Sequence, residues 1–396
     1  MTQQPLDGAG PGARIDIESR RAWVDIDLDA LTRNADRIHA RARRPLIAVV
    51  KADAYGHGAP VVSAQLRRWS LGANRLHGFG TATIDEAIVL RKHFNADVDV
   101  ADRQPNILCC TPLLPAELQE ALHHAIMPAL HHAEEIAWWH ANNGASWHLS
   151  IDTGMQRAGI RWDRAGVLRE IVDRHPPAAV FTHFHSADVN DGSREEQEAR
   201  FAQACTALGF DAKPDIARHL DNSAAIAMRG KSDASYVRPG LALYGGGATR
   251  QLPLEPIATI RARVLDVHEV ENGESVSYNA TWRAEGRRTI ATVGLGYADG
   301  YRRAFSNRTR ALLHGTPVPI AGRVTMDMTM FDVTGVSCAV GDVVTLLGRD
   351  DAVTITPEEL GEAAGLSVYE LFVGQKLRMP RQYVGGLSQQ GSGQAT

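Results

Sequence analysis

The chain has 396 residues, a formal net charge of -4, 44% hydrophobic and 22% charged residues, so it is long enough for two domains with separate cores. Interspersed acids and bases argue against a nucleic-acid or membrane-surface role, and the longest apolar runs are too short for a membrane span. Cys109, Cys110, Cys205 and Cys338 show neither metal-ligand spacing nor a disulfide framework, which predicts a reduced, cytoplasmic protein without a metal. Residues 1–20 lack the apolar core of a secretory signal. They and residues 386–396 are expected to be flexible tails.

Residues 21–250 alternate short β-type runs with helical segments. The expected strands are "LIAVVK", "LHGFGT", "NILCC", "IMPAL", "WHLSID", "AAVFTHF", "DIARHL" and "YVRPGLALYG", separated by stretches such as "PAELQEALHH", "DRAGVLREIVDR" and "SREEQEARFAQACTAL". Eight such units predict a (β/α)8 TIM-type barrel, with a doubly wound sheet as the alternative. In a barrel the chemistry belongs at the C-terminal strand ends, where Lys51, Asp152, His183, Asn222 and Arg238 fall. Residues 251–385 change texture: "IATIRARVLDVHEV", "RRTIATVGLG" and "DVVTLLG" predict a mostly-β domain, with one helical signal at "TPEELGEAAG".

Lys51 ends the first apolar run, in "PLIAVVKADAYGHG". Desolvation there would favour the neutral amine, which can attack a carbonyl and form a Schiff base. A lysine snorkelling to solvent at the barrel rim is the plainer alternative. "KADAYGHG" makes a tight glycine-containing turn, and Tyr55 within it is close enough in sequence to share a site with Lys51.

"AVVKADAYGHG" resembles the pyridoxal-phosphate lysine motif of the alanine racemases, and further motifs follow in family order from Arg21 to Tyr383. The resemblance implies a pyridoxal 5'-phosphate (PLP) enzyme that interconverts L- and D-alanine for peptidoglycan. It would act as a homodimer, with two bases on opposite faces of the substrate α-carbon. Lys51 would hold the cofactor and be one base. Tyr278, in "SVSYNATW", would be the other, reaching the site of the opposite subunit. Arg238 would contact the pyridine nitrogen, with His219 supporting it. Ser223, the amides of Gly240 and Leu241, and the phenols of Tyr55 and Tyr369 would hold the phosphate. Arg157, in "DTGMQRAGI", and the amide of Met326 would take the substrate carboxylate, while His183 would hydrogen-bond the tyrosine base. Tyr297, Arg303 and Arg381 resemble the access corridor, although rim ion pairs with Asp188 or Asp299 are a simpler role for them.

One position departs from the pattern. Many alanine racemases carry a carbamylated lysine seven residues before the "DTGM" arginine, and this chain has Ser150. An anion such as chloride, or an ordered water, is expected beside Arg157 instead. The same departure keeps open a broader racemase acting on serine or basic amino acids. A PLP-binding protein without turnover is disfavoured by Tyr278 and Met326, and a PLP decarboxylase by Arg238.

Overall fold

The computed structural model describes residues 17–96, 104–375 and 378–386. The expected tails lie outside these except for residues 17–20 and Gly386, and Ile17–Ser19 forms a single 3-10 turn. The chain divides into two compact units. One comprises Thr32–Ala54 and Gly58–Leu254; the other comprises the segment ending at Leu31, Tyr55–His57 and the chain from Glu255 onward.

In the first unit seven parallel strands run in sequence order: Leu46–Val49, Leu76–Thr81, Asn106–Cys109, Met127–Leu130, His148–Asp152, Ala179–Phe181 and Ala217–His219. Each falls within a run expected from the sequence. The eighth position is taken by a segment too irregular to count as a strand. Leu46 bridges Val237 and Asn222 bridges Arg238, both in parallel. The amides of Ile47 and Val49 donate to the Val237 and Pro239 carbonyls at 2.8 and 2.9 Å. Pro239 has no N–H to continue the ladder, and the expected strand over 236–245 gives way to a 3-10 turn at Leu241–Tyr244. The Tyr244 hydroxyl closes this join by donating to the Val49 carbonyl at 2.8 Å.

Helices Ala59–Ser70, Ile84–Ala96, Pro115–His123, Ala133–Ala141, Ser193–Ala207 and Ser223–Arg229 alternate with the strands. The helix expected over "DRAGVLREIVDR" forms only in part: Trp162–Leu168 is 3-10 and Arg169–Arg174 is α. Leu46, Ile47, Phe79, Ile107, Leu108, Leu130, Leu149, Ile151 and Val180 are fully buried, as strands of a parallel sheet covered by helices require.

The turn after Lys51 takes a form that the sequence does not announce. Ala52, Asp53, Ala54 and Tyr55 all have φ between 51° and 55°, a left-handed helical turn of non-glycine residues. Such a conformation costs about 1–2 kcal/mol per residue and persists only where its surroundings determine it. Here the Glu86 carboxylate accepts from the Ala52 amide at 2.7 Å, and the Asp53 carboxylate from the Ala59 amide at 2.7 Å. Charged acceptors make such bonds among the stronger ones available.

The second unit is built on a nine-stranded sheet. Its longest strand, Ala258–Val270, pairs antiparallel with Ala22–Asp27, Val343–Asp350 and Arg288–Val293. Register shifts at Ile260/Arg261 and Val264/Asp266 bend it. Val264, Ile290, Val293, Leu312, Phe331 and Leu346 form its buried face. Ala22–Asp27 also pairs in parallel with Arg381–Val384. The strand at the start of the chain therefore belongs to this sheet, and not to the barrel that residues 21–250 were expected to form. Its partners lie more than two hundred residues away, so no local pattern could reveal them. Among the described residues, no helix is long and apolar enough to cross a membrane.

Candidate active site

The barrel places its chemistry at the C-terminal strand ends. Lys51 follows the first strand after Val50 and is exposed in the single chain, so the burial that the sequence suggested for it is absent. Its neighbourhood is cationic instead. Lys51, Arg157 and Arg238 all act electrostatically on His183, and Lys51 and Arg238 both act on Cys110.

Arg238 is the best-anchored member of the group. It is buried, and its guanidinium donates to the carbonyls of Thr182 at 2.5 Å and Leu220 at 3.1 Å. Burial lowers it to about 10, so it remains a cation and donor at neutral pH. It also meets His219 Nδ1 at 2.7 Å, and His219 Nε2 lies 2.9 Å from His148 Nδ1. A guanidinium cannot accept, so His219 Nδ1 must be the acceptor and Nε2–H the donor toward His148. Burial, then the charge of Arg238 and the neighbouring imidazoles, lowers His219 well below its usual value. Burial first, with His77 and Arg238, brings His148 down to about 3. Both rings are therefore neutral, and one tautomeric arrangement is locked beneath the arginine.

His183 is also lowered to about 3, by burial first and then by Arg238, Arg157 and Lys51. Three histidines whose folded-state values lie below the ordinary 6.5 make the unfolded chain the better proton binder in acid. Stability should fall as the pH drops from about 6.5 toward 3, by about 1.4 kcal/mol per pH unit for each histidine. Urea unfolding of the unliganded chain at about pH 7 and about pH 5 measures this. His148→Asn should remove about one proton from the slope; an unchanged slope would mean that His148 is already protonated in the fold.

At the N-terminus of helix Ser223–Arg229, the Ser223 hydroxyl receives the amides of Gly240 at 3.0 Å and Ala242 at 3.2 Å. A hydroxyl and two amides converging near one point suit a phosphate. Leu241, expected as the second amide, lies between them and is buried, while the amide of Ala242 takes the place beside Ser223.

A cavity of about 140 Å³ opens between the strand ends, lined by residues that include Cys110, Ser150, Asp152, Arg157, Thr182 and His183. Asp152 shapes the loop leading to Arg157 by accepting from the amides of Gly154 at 2.8 Å and Gln156 at 3.1 Å. Arg157 is exposed, and among the described residues it makes no hydrogen bond or ion pair. It lines the same cavity as Ser150.

The remaining expected residues belong to the strand-rich unit. Tyr55 is buried, with its ring centroid 6.0 Å from that of Tyr369, which is exposed. Tyr278 is 69% and Met326 53% exposed, and Tyr297 is exposed as well. They share one patch. Ser277 Oγ donates to the Arg323 carbonyl at 2.7 Å, and the Tyr297 and Ala298 amides donate to the Thr325 and Met326 carbonyls at 3.0 and 2.9 Å. Asp299 pairs with Arg378 at 2.9 Å, a partner other than the Arg303 or Arg381 considered from the sequence.

Sequence reasoning missed His148, Cys110 and the Ala242 amide. A signal for His148 was present, because residues 148, 150 and 152 of one strand share a face and Ser150 and Asp152 both line the cavity.

The family model for the N-terminal domain of alanine racemase matches residues 26–248, and that for the C-terminal domain residues 257–383. The chain is 33% identical to the alanine racemase of Nostoc sp. over 92% of this chain and 96% of that one. It is 36% identical to that of Desulfosudis oleivorans over 93% and 97%. Among solved structures, the alanine racemase of Streptomyces coelicolor aligns with a TM-score of 0.82 at 30% identity, covering 93% of this chain and 99% of that one. The Bacillus anthracis alanine racemase with bound L-Ala-P aligns at 0.78 and 29%, covering 92% and 95%. With both domains matched and relatives above 30% identity along nearly the whole length, this chain belongs to the alanine racemase family.

Proposed function

We propose that this chain interconverts L-alanine and D-alanine, with PLP held on Lys51 and with Tyr278 of a second copy completing each site. The D-alanine would supply bacterial peptidoglycan. The observation that carries the reading is the buried Arg238. A cation held by three carbonyls and by neutral His219, itself backed by His148, can only donate toward whatever lies before it.

The residues present suit the cofactor. Ser223 and the Gly240 and Ala242 amides form a phosphate cradle, which the phenols of Tyr55 and Tyr369 would complete. Lys51, Arg157 and Arg238 supply positive charge for an anionic ligand. When bound, PLP would supply the electron-withdrawing ring that acidifies the substrate α-carbon. Arg238, facing the ring nitrogen, would keep it unprotonated. That restrains electron withdrawal and so favours reprotonation over decarboxylation or transamination.

The chain's own groups do the rest. Lys51 Nζ would take or return a proton on one face of the α-carbon, and the Tyr278 hydroxyl would do so on the other. Inversion follows from the two faces. Neutral His183 would hydrogen-bond the phenol without adding charge. Arg157 and the Met326 amide would hold the substrate carboxylate. The exposure of Tyr278, Tyr297 and Met326 in the single chain supports a shared, dimeric site. All four cysteines are free thiols, which supports a reducing compartment such as the cytoplasm.

Ser150, which lines the cavity with Arg157, departs from the family's carbamylated lysine and supports a second reading, that serine or basic amino acids are also accepted. It also supports an anion such as chloride beside Arg157. Purified protein supplied with PLP and a panel of L-amino acids should form D-alanine as its main chiral product. Negligible alanine turnover beside lysine or arginine would replace alanine by the broader substrate class.

A further inference from the structure

Between the strand that ends in Cys109 and the one that carries Ser150 stands the strand Met127–Leu130, and its C-terminal end carries "HHAEE". His131 follows the strand directly. His132 is the N-cap of helix Ala133–Ala141, and Glu135 is the third residue of that helix. The Glu135 carboxylate accepts from the His131 amide at 3.1 Å and the His132 amide at 3.2 Å, which fixes it beside both imidazoles. The two rings lie with centroids 4.2 Å apart. One ligand atom from each of the three side chains falls within 4.8 Å of the others.

His131 makes this more than a capping arrangement. It is 8% exposed, and its Nδ1 is buried without a hydrogen-bond partner. The Glu135 oxygen nearest to it is 3.7 Å away, beyond hydrogen-bond reach. An orphaned buried nitrogen of this kind is destabilising unless something pairs with it. Burial holds the imidazole below its usual pKa, with His132 adding to the effect against the opposing pull of Glu135.

We infer that His131, His132 and Glu135 form a binding site for one borderline divalent ion of the zinc class. Two imidazoles and a carboxylate are the donor set of such ions, whereas magnesium and calcium prefer oxygen alone. A tetrahedral zinc site separates its ligand atoms by about 3.3 Å, so ligand atoms up to 4.8 Å apart need to close by at most about 1.5 Å. The positive end of a helix disfavours a cation. Glu134 and Glu135, both in the first turn, oppose that. The ion would join a strand end to the first turn of the next helix, and would therefore stabilise the barrel.

The test is zinc titration of chelator-stripped full-length protein, with cobalt as a spectroscopic probe of coordination. One equivalent per chain should bind near micromolar affinity and raise the melting temperature. His131→Gln and Glu135→Gln should each weaken binding at least about tenfold. His132→Ala should do the same, and because His132 is exposed this variant stays informative if the buried one misfolds. His140 and His175 stack at 4.1 Å and could bind metal weakly at the surface, so His140→Gln is the control. Unchanged affinity in His132→Ala and Glu135→Gln, loss in His140→Gln instead, or binding no tighter than millimolar overturns the inference.

Discussion

Replacing Lys51 by alanine is expected to lower racemisation by more than about 10^4-fold, because it removes the covalent anchor and one proton carrier together. The absorbance that belongs to the lysine–cofactor linkage should disappear with it. Folding should be unaffected, since the side chain is exposed. The hydrogen-bonded group of Ser223, Gly240 and Ala242, proposed to hold the phosphate, is untouched, so the variant should still bind PLP without a covalent bond. Borohydride reduction of the wild-type protein followed by peptide mapping locates the anchor independently. A reduced adduct on any other lysine would refute the assignment.

Tyr278→Phe should cost about 10^2- to 10^4-fold in turnover while leaving the cofactor in place. At 69% exposure the hydroxyl carries little structural load, so the loss should not come from unfolding. The two inactive variants together decide where this tyrosine acts. If each site takes Lys51 from one chain and Tyr278 from the other, a mixed Lys51→Ala/Tyr278→Phe dimer has one intact site. Equal mixing with free subunit exchange should then restore about one quarter of wild-type activity. No recovery, with mixed dimers verified, would place both groups in one chain and end the shared-site reading.

Much of the barrel was legible because its strands are short apolar runs between turn signals, a pattern that parallel sheets impose locally. The site was legible where residue type and spacing recur together, as with Lys51 and Tyr55, or Ser223 and Gly240. What could not be read depends on partners distant in sequence. Arg238 relies on carbonyls from two other strand ends, and its tautomeric lock needs His148, ninety residues earlier. The expected burial of Lys51 did not follow, since an apolar strand does not fix the exposure of the residue beyond its end. Likewise, a glycine-containing turn was foreseen after Lys51, but its left-handed hand over four non-glycine residues rests on Glu86 and Asp53.

By itself the sequence marked the short barrel strands and the strand-rich texture after residue 250, because periodicity and local turn chemistry act over a few residues, while the candidate residues at the barrel mouth came from the family resemblance. Only the tertiary structure decided that Ala22–Asp27 completes the strand-rich sheet, that Arg238 is buried on two neutral histidines, and that Arg157 has no counter-ion among the described residues. Burial, tautomer and charge pairing arise from contacts between distant segments, and those contacts exist only once the chain has closed on itself.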